Sequence, residues 1–357
     1  MESRIAFLNL DGVNVTPYFR YYRDLISGPY DYIYWGRSAC GSEPDASNVY
    51  RYDSPVDSGA SRYLQLLRGY LGFRRYASKL LSNNRYRRVV ALTGNTATLL
   101  EPVLCRCYKG RYIIDIRDYF LENNPLYRAV EERVIENSGL AIISSPAYTN
   151  FLGQHDFVVM HKSQHISSCE RAEVQNKVRP GNPFVLLSVG TCKNPDNDKA
   201  VIRYFANDSR FLLRFVGRGY GVLESYITDR EISNVEIVDE FSSELTLDFY
   251  KQADAVLSMY GSEKTHFKYQ LTNKLYYSAQ LELPIIVSPD TYMAETVERY
   301  GLGLALDFGN TSQKDIILHL YDRDYRIAMV DGMRRFMSMA NEQNDIALDA
   351  VKSFLSN

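Results

Sequence analysis

Two cations in the second half of the chain stand where chemistry on an anion would need them. Arg218 lies between Gly217 and Gly219, directly after the apolar run FLLRFV at 211–216. Flanking glycines let a backbone approach an anion, and a guanidinium can fork onto a phosphate. Lys274 opens a helical pattern, so its ammonium and the positive end of the helix dipole would act in one place. As a helix-start lysine it is expected outside the core. The segment SVGTCK at 188–193 sets Gly190 and Lys193 after another apolar run, with Lys199 further on. In the first half, IIDIRDY at 113–119 points Asp115 and Arg117 to one face by strand alternation and leaves Asp118 just past the strand end. A carboxylate there can orient a hydroxyl or take its proton. For Asp115 a pairing with Arg117 that ties strand to helix reads equally well. DGVN at 11–14 follows the first apolar run and offers Gly12 and Asn14 as further lining residues.

These residues need elements that bring loop ends together. Short β-branched or aromatic runs at 5–10, 32–35, 89–93, 112–116 and 140–144 read as strands, with helical patterns near 61–83, 97–107, 125–137 and 146–153. A second series follows at 184–189, 211–216, 235–238, 255–257, 285–287 and 304–306, again with helices between. Such alternation implies α/β architecture, two doubly wound Rossmann-like domains with parallel sheets, and ligands at the carboxyl ends of the strands. The polar stretch 163–182, ending in RPGNP, reads as the linker. The expected division is 1–165, 180–335 and a C-terminal helix at 336–357 that packs back on the first domain.

A chain of 357 residues has room for two cores, and a net charge of −2 gives no global attraction to nucleic acid. Any anionic partner must therefore be met by a local patch. The odd set of five cysteines without a CxxC suits a reduced, cytoplasmic setting. The first ten residues read as a strand and not a signal peptide, and no apolar run approaches the roughly 20 residues of a membrane span. The 29 tyrosines suit carbohydrate contacts, although core filling explains them as well.

The stretch LTNKLYYSAQLELPIIVSPDTYMAETVERYGLGLALD at 271–307 reads as helix, buried strand, turn, helix and strand. It resembles the signature of retaining GT-B glycosyltransferases, family 4-like, of the bacterial capsule and lipopolysaccharide type. There a Lys-Leu-aromatic-Glu helix leads into a Pro-strand, and a later Glu precedes Gly-x-Gly. IIDIRDY is similar to the Asp-x-x-Asp of the same enzymes. The resemblance implies a GT-B fold with two domains facing a cleft. It also implies a metal-independent retaining transferase, with a nucleotide-diphosphate sugar as co-substrate and no other cofactor. The acceptor it implies is a saccharide, lipid-linked, of a surface polysaccharide. Lys274, Arg218 and Asp118 would be catalytic. Lys193, Gly190, Gly217, Tyr277 and Glu295 would hold the donor, and Gly12, Asn14 and Asp118 the acceptor. The chain departs from the pattern at Thr191, where an Arg is usual, at Tyr269 and Tyr277, where glutamates are usual, and at Glu282, where a small Gly is usual. A tyrosine can hydrogen-bond a ribose, though not as a carboxylate. A nucleotide-sugar 2-epimerase on the same fold and an inactive GT-B subunit that scaffolds a partner are the alternatives.

Two metal motifs have plainer explanations. Asp196-Asn197-Asp198 opens a helix after Asn194-Pro195, where acids favour the N-terminal dipole. His161, His165 and Cys169 are spaced by four but lack a fourth ligand. The region 62–88 holds eight cations (Arg62, Arg68, Arg74, Arg75, Lys79, Arg85, Arg87, Arg88) and no acid. An apolar stripe of Tyr63, Leu66, Leu67, Tyr70, Phe73, Ala77, Leu80 and Leu81 accompanies them. A basic amphipathic helix of this kind implies peripheral docking on an anionic membrane surface, the inner face of the cell membrane.

Overall fold

The computed structural model describes residues 4–12, 16, 18–36, 44–54, 61–163, 166–175 and 180–356; Asn14 and His165 lie outside this set. The chain divides into two compact units, Met1–His161 with Glu342–Asn357, and Lys162–Asn341.

The first unit runs β1 (Ile5–Asn9), α1 (Phe19–Arg23), β2 (Tyr30–Trp35), β3 (Asn48–Tyr52), α2 (Arg62–Asn84), β4 (Arg88–Leu92), α3 (Gly94–Leu99), α4 (Glu101–Cys107), β5 (Tyr112–Ile116), α5 (Pro125–Glu136), β6 (Leu140–Ile143), α6 (Thr149–Leu152) and β7 (Phe157–Val159). The second begins with α7 (Ser168–Gln175), β8 (Phe184–Val189), α8 (Pro195–Phe205), β9 (Phe211–Val216), α9 (Glu224–Thr228), β10 (Val235–Val238) and α10 (Thr246–Lys251). It continues through β11 (Ala255–Ser258), α11 (Thr265–Tyr269), α12 (Asn273–Leu281), β12 (Ile285–Val287), α13 (Tyr292–Tyr300), β13 (Gly303–Ala305) and α14 (Gln313–Leu318). The long α15 (Arg323–Ser356) belongs to both units.

Strand order is β3-β2-β1-β4-β5-β6-β7 in one sheet and β10-β9-β8-β11-β12-β13 in the other, with every pairing parallel. Both are doubly wound, with the order reversing at β1/β4 and at β8/β11. The central strands are buried along their length because helices cover both faces. The strands without an expected counterpart, β3 and β7, lie at opposite edges of the first sheet, and each has one neighbour. Half-exposed edges do not need an apolar run, so their signal is weak. Within the expected linker, α7 forms a helix and buries Val174 in the second core.

Helix α15 packs Met329, Met333, Phe336 and Ala340 into the second unit, and Ala347, Val351 and Leu355 into the first. Arg87 donates to the Leu355 and Ser356 carbonyls, and Arg88 Nε to the Phe354 carbonyl at 2.9 Å. Two cations of the basic region thus cap the end of a helix, where positive charge is favoured. The expected apolar stripe of α2 also divides. Phe73, Ala77 and Leu81 are buried with Gly69, while Tyr63, Leu66 and Leu67 are exposed together with Leu64 and Leu71. Any Cβ at position 69 would stand 2.1 Å from Trp35 Cζ2, so glycine is what lets the helix lie on that ring.

Candidate functional site

In the second unit the carboxyl ends of β8 and β11 meet at a buried cation. Helix α12 is buried almost all round, and Lys274 in its first turn is only 5% exposed. Its Nζ donates to Ser188 Oγ, at the end of β8, and to the Leu257 carbonyl in β11, both at 3.0 Å. The ammonium therefore sits at the strand-order reversal, where ligands of such sheets bind. The Tyr260 ring centroid is 4.9 Å away, and Ser188 Oγ pairs with the Tyr220 hydroxyl at 2.9 Å. Burial alone would lower the Lys274 pKa. Tyr260, Tyr220 and Asp198 reverse the sign and hold it above its ordinary value, so the group is charged. The expectation that Lys274 lies outside the core is corrected: the helix carrying it packs into the sheet, and the sheet ends supply the acceptors that burial demands.

Asp198, in the first turn of α8, accepts from Cys192 Sγ at 3.3 Å. Burial pushes Asp198 up to about 6 against the opposing charge of Lys274, and pushes Cys192 up to about 12. Burial thus favours the thiol form of Cys192 over the thiolate. The helix is capped by Asn194, whose Oδ1 accepts from the Asn197 N–H at 3.4 Å, and Asp196 is exposed. A cavity of about 580 Å³ opens at these strand ends. Three carboxylates (Asp196, Glu263, Asp307), one cation (Lys264) and the amides of Asn194 and Asn197 line it. That set suits neutral hydroxyl groups better than a bare diphosphate.

The other donor candidates surround this point unevenly. Arg218 is exposed, with Nε 3.6 Å from Glu240 Oε1. Gly217 has φ +121°, and a Cβ there would stand 2.1 Å from the Gly190 carbonyl oxygen, so the β8 and β9 loops pack only with glycine at 217. Gly190 itself has φ +122°. Lys193 and Glu295 are exposed, the latter in the first turn of α13. Tyr277 stacks on the buried Tyr250, ring centroids 4.8 Å apart and planes within 18°. Glu282 takes a left-handed φ of +55° at the end of α12, which explains why a glycine is usual there. Arg326 donates to its carbonyl and Arg334 to its Oε1, at 3.0 Å in the latter case, and these contacts from α15 hold the strained residue.

In the first unit the carboxyl ends of β4 and β5 carry the candidates. Asp115 is fully buried and accepts from Tyr22 (2.6 Å) and from Arg117 Nη2 (2.9 Å). Arg117 also donates to the Met160 carbonyl at 2.9 Å and lies over the Tyr18 ring. Burial would lower the Arg117 pKa, and Asp115 overrides it upward. The pair ties β5 to its surroundings: both residues are shielded from solvent, with Arg117 Nε 2.6 Å from Asp115 Oδ1. Asp118 is exposed one residue further on, and Gly12 is half-buried with its carbonyl accepting from Thr16 at 3.5 Å. His161 is buried against Gln343, its Nε2 2.7 Å from Oε1, which accounts for it without a metal.

Three features of this edge escaped the sequence reading. Thr93, at the end of β4, has φ +98°, a conformation that a β-branched residue rarely takes. Its Oγ1 accepts from the Thr96 N–H at 3.3 Å. Beneath the next residue, Gly94, lies the Glu131 carboxyl, where a Cβ on Gly94 would come 3.0 Å from Oε1. Glu131 and Glu122 are both buried, and each has an Oε1 without a hydrogen bond. Burial pushes Glu131 up to about 8, with the charge of Glu122 adding to it. Burial also raises Glu122, against the Phe120 N–H that bonds it at 2.6 Å. Spacing could have flagged Glu131, because it shares a helix face with Val134 and Ile135. Nothing in the sequence marks the Thr93 backbone.

No family model and no curated protein matches the chain. Solved structures do. The chain is similar to WaaG, a glycosyltransferase involved in lipopolysaccharide biosynthesis, at 14% identity and a TM-score of 0.64, over 97% of this chain and 99% of that one. It is similar to sucrose-phosphate synthase from Thermosynechococcus elongatus at 13% identity and a TM-score of 0.69, over 99% and 98%. HepE of Anabaena, solved in complex with UDP, matches at 13% identity and a TM-score of 0.64, over 98% and 100%. The fold is that of GT-B glycosyltransferases, as the 271–307 segment implied.

Proposed function

We propose that this protein is a glycosyltransferase that moves a sugar from a nucleotide-diphosphate donor to a saccharide acceptor. The observation that carries the reading is Lys274: a charged ammonium held at the strand-order reversal of a GT-B donor-type sheet. A fixed cation at low local dielectric stabilises charge as it develops on a departing diphosphate, without reorganising at that moment. Arg218, on a flexible stem beside Glu240, and Lys193 would complete the neutralisation without a divalent ion. Tyr277, Glu295 and the glycines at 190 and 217 would bound the donor. Asp118 would orient the acceptor hydroxyl and receive its proton, with Gly12 and Asn14 beside the acceptor. Retention of configuration and a lipid-linked acceptor of bacterial surface polysaccharide follow from the resemblance of 271–307 and 113–119 to that class. The exposed leucines of α2 and its exposed cations Arg74, Arg75 and Lys79 support docking on the cytoplasmic face of the membrane, and no helix among the described residues is long and apolar enough to cross it.

HepE has been solved with UDP and with UDP-glucose, which makes UDP the first nucleotide to test. UDP, GDP, dTDP and CMP at increasing concentration should each be scored for thermal stabilisation, because a ligand of the native state raises Tm by mass action. One nucleotide should stand out, and transfer should survive exhaustive EDTA treatment. A second reading rests on Tyr277, whose ring is engaged with Tyr250 in the place of a ribose-binding glutamate. It is a scaffold subunit without a donor site, and it takes over if no nucleotide shifts Tm.

A further inference from the structure

Helix α2 has a second face with a composition of its own. Along it run Leu64, Leu67 and Leu71, all exposed, and then Arg74, Arg75, Ser78 and Ser82. These positions recur at helical spacing, opposite the buried Gly69, Phe73, Ala77 and Leu81. The cationic half of this face forms one wall of a groove of about 430 Å³, and α4 forms the other wall with Arg106. No acidic residue lines the groove. Among the described residues none makes a hydrogen bond or ion pair to Arg74, Arg75 or Arg106. Three guanidiniums around one groove repel one another until an anion joins them, and two serine hydroxyls supply further donors. Forked N–H donors of this kind match the oxygens of a phosphate.

We propose that the groove between α2 and α4 binds the phosphate of an anionic phospholipid headgroup, with Leu64, Leu67 and Leu71 directed to the acyl region. The order of residues along the face is the argument for a lipid. Apolar side chains occupy the first turns and phosphate donors the later ones, so a single amphiphile satisfies both. A free phosphate would leave the three leucines in water. This inference rests on the docking reading above and narrows it to one site, because Arg106 lies on a different helix from the rest of the basic region.

Co-sedimentation with vesicles tests it. Phosphatidate and phosphatidylglycerol vesicles are matched in surface potential and offered to the full chain at low salt. A phosphate-reading groove gives phosphatidate, with its exposed phosphomonoester, about fivefold tighter binding, on the scale of one charge-assisted contact. Arg106→Gln should erase that preference, while Lys79→Gln, exposed on α2 outside the groove, should weaken both vesicle types and keep it. Equal binding to matched vesicles, or equal behaviour of the two variants, overturns the groove while leaving membrane docking intact. No binding to either vesicle overturns both. Inorganic phosphate titrated by calorimetry is the last arm. If it saturates the soluble protein in an Arg106-dependent way and the vesicles show no preference, the occupant is free phosphate and the lipid assignment is wrong.

Discussion

Glu131→Gln should change the pH dependence of the first unit's stability more than any other single substitution there. The native carboxyl titrates near 8, whereas the ordinary value is 4.5. Between those values the folded chain holds a proton that the unfolded chain has released, so stability falls as pH rises. The contribution is fully present below 4.5 and is lost by about pH 8. At about 1.4 kcal/mol per pH unit the whole interval is worth on the order of 5 kcal/mol, an upper figure because opening and water entry soften it. Glu122 acts in the same direction, since burial raises it too. Glutamine has the same shape and never ionises. The variant should therefore match the wild type near pH 5 and exceed it by a few kcal/mol at pH 8.5. The assay is built into the chain: its one tryptophan, Trp35, is buried in the first unit against Phe73. Urea unfolding followed by tryptophan fluorescence thus reports on that unit. Parallel pH profiles for variant and wild type would refute the reasoning, because the Glu131 proton would then be the same in both states.

Lys274→Ala should lower turnover by about two orders of magnitude, the scale of one lost charge-stabilising donor. It should also destabilise the second unit by about 1–3 kcal/mol, because the Ser188 hydroxyl and the Leu257 carbonyl lose a partner. Wild-type turnover in this variant would remove the residue from the mechanism. Asp118→Asn should impair transfer while leaving nucleotide affinity by calorimetry nearly intact, since Asp118 belongs to the first unit; loss of nucleotide binding would mean a structural role. Glu282→Gly should raise the melting temperature slightly. It relieves a left-handed φ that costs a side chain roughly 1–2 kcal/mol and gives up an exposed Arg334 pair worth less. A fall in melting temperature would show that Arg334 contributes more than exposed pairs usually do.

The alternation of apolar runs with helical patterns determined the class of fold by itself. Buried parallel strands need nearly continuous β-branched and aromatic residues, and that pattern is local. All six strands in the second unit are legible this way, four of them to the residue, with β11 one residue longer than expected and β13 shifted by one. The edge strands β3 and β7 are not, because an edge is defined by its neighbours and not by its own residues. The site divides along the same line. Gly217, Glu282 and the Lys274 helix can be picked out by residue type and position. That the Lys274 ammonium is buried between β8 and β11, that Arg87 and Arg88 cap α15, and that Glu122 and Glu131 are both buried within electrostatic reach of each other were decided by packing. Each depends on groups far apart in the chain. A charge has no sequence signature for burial, because its solvation is set by whatever the tertiary structure brings beside it.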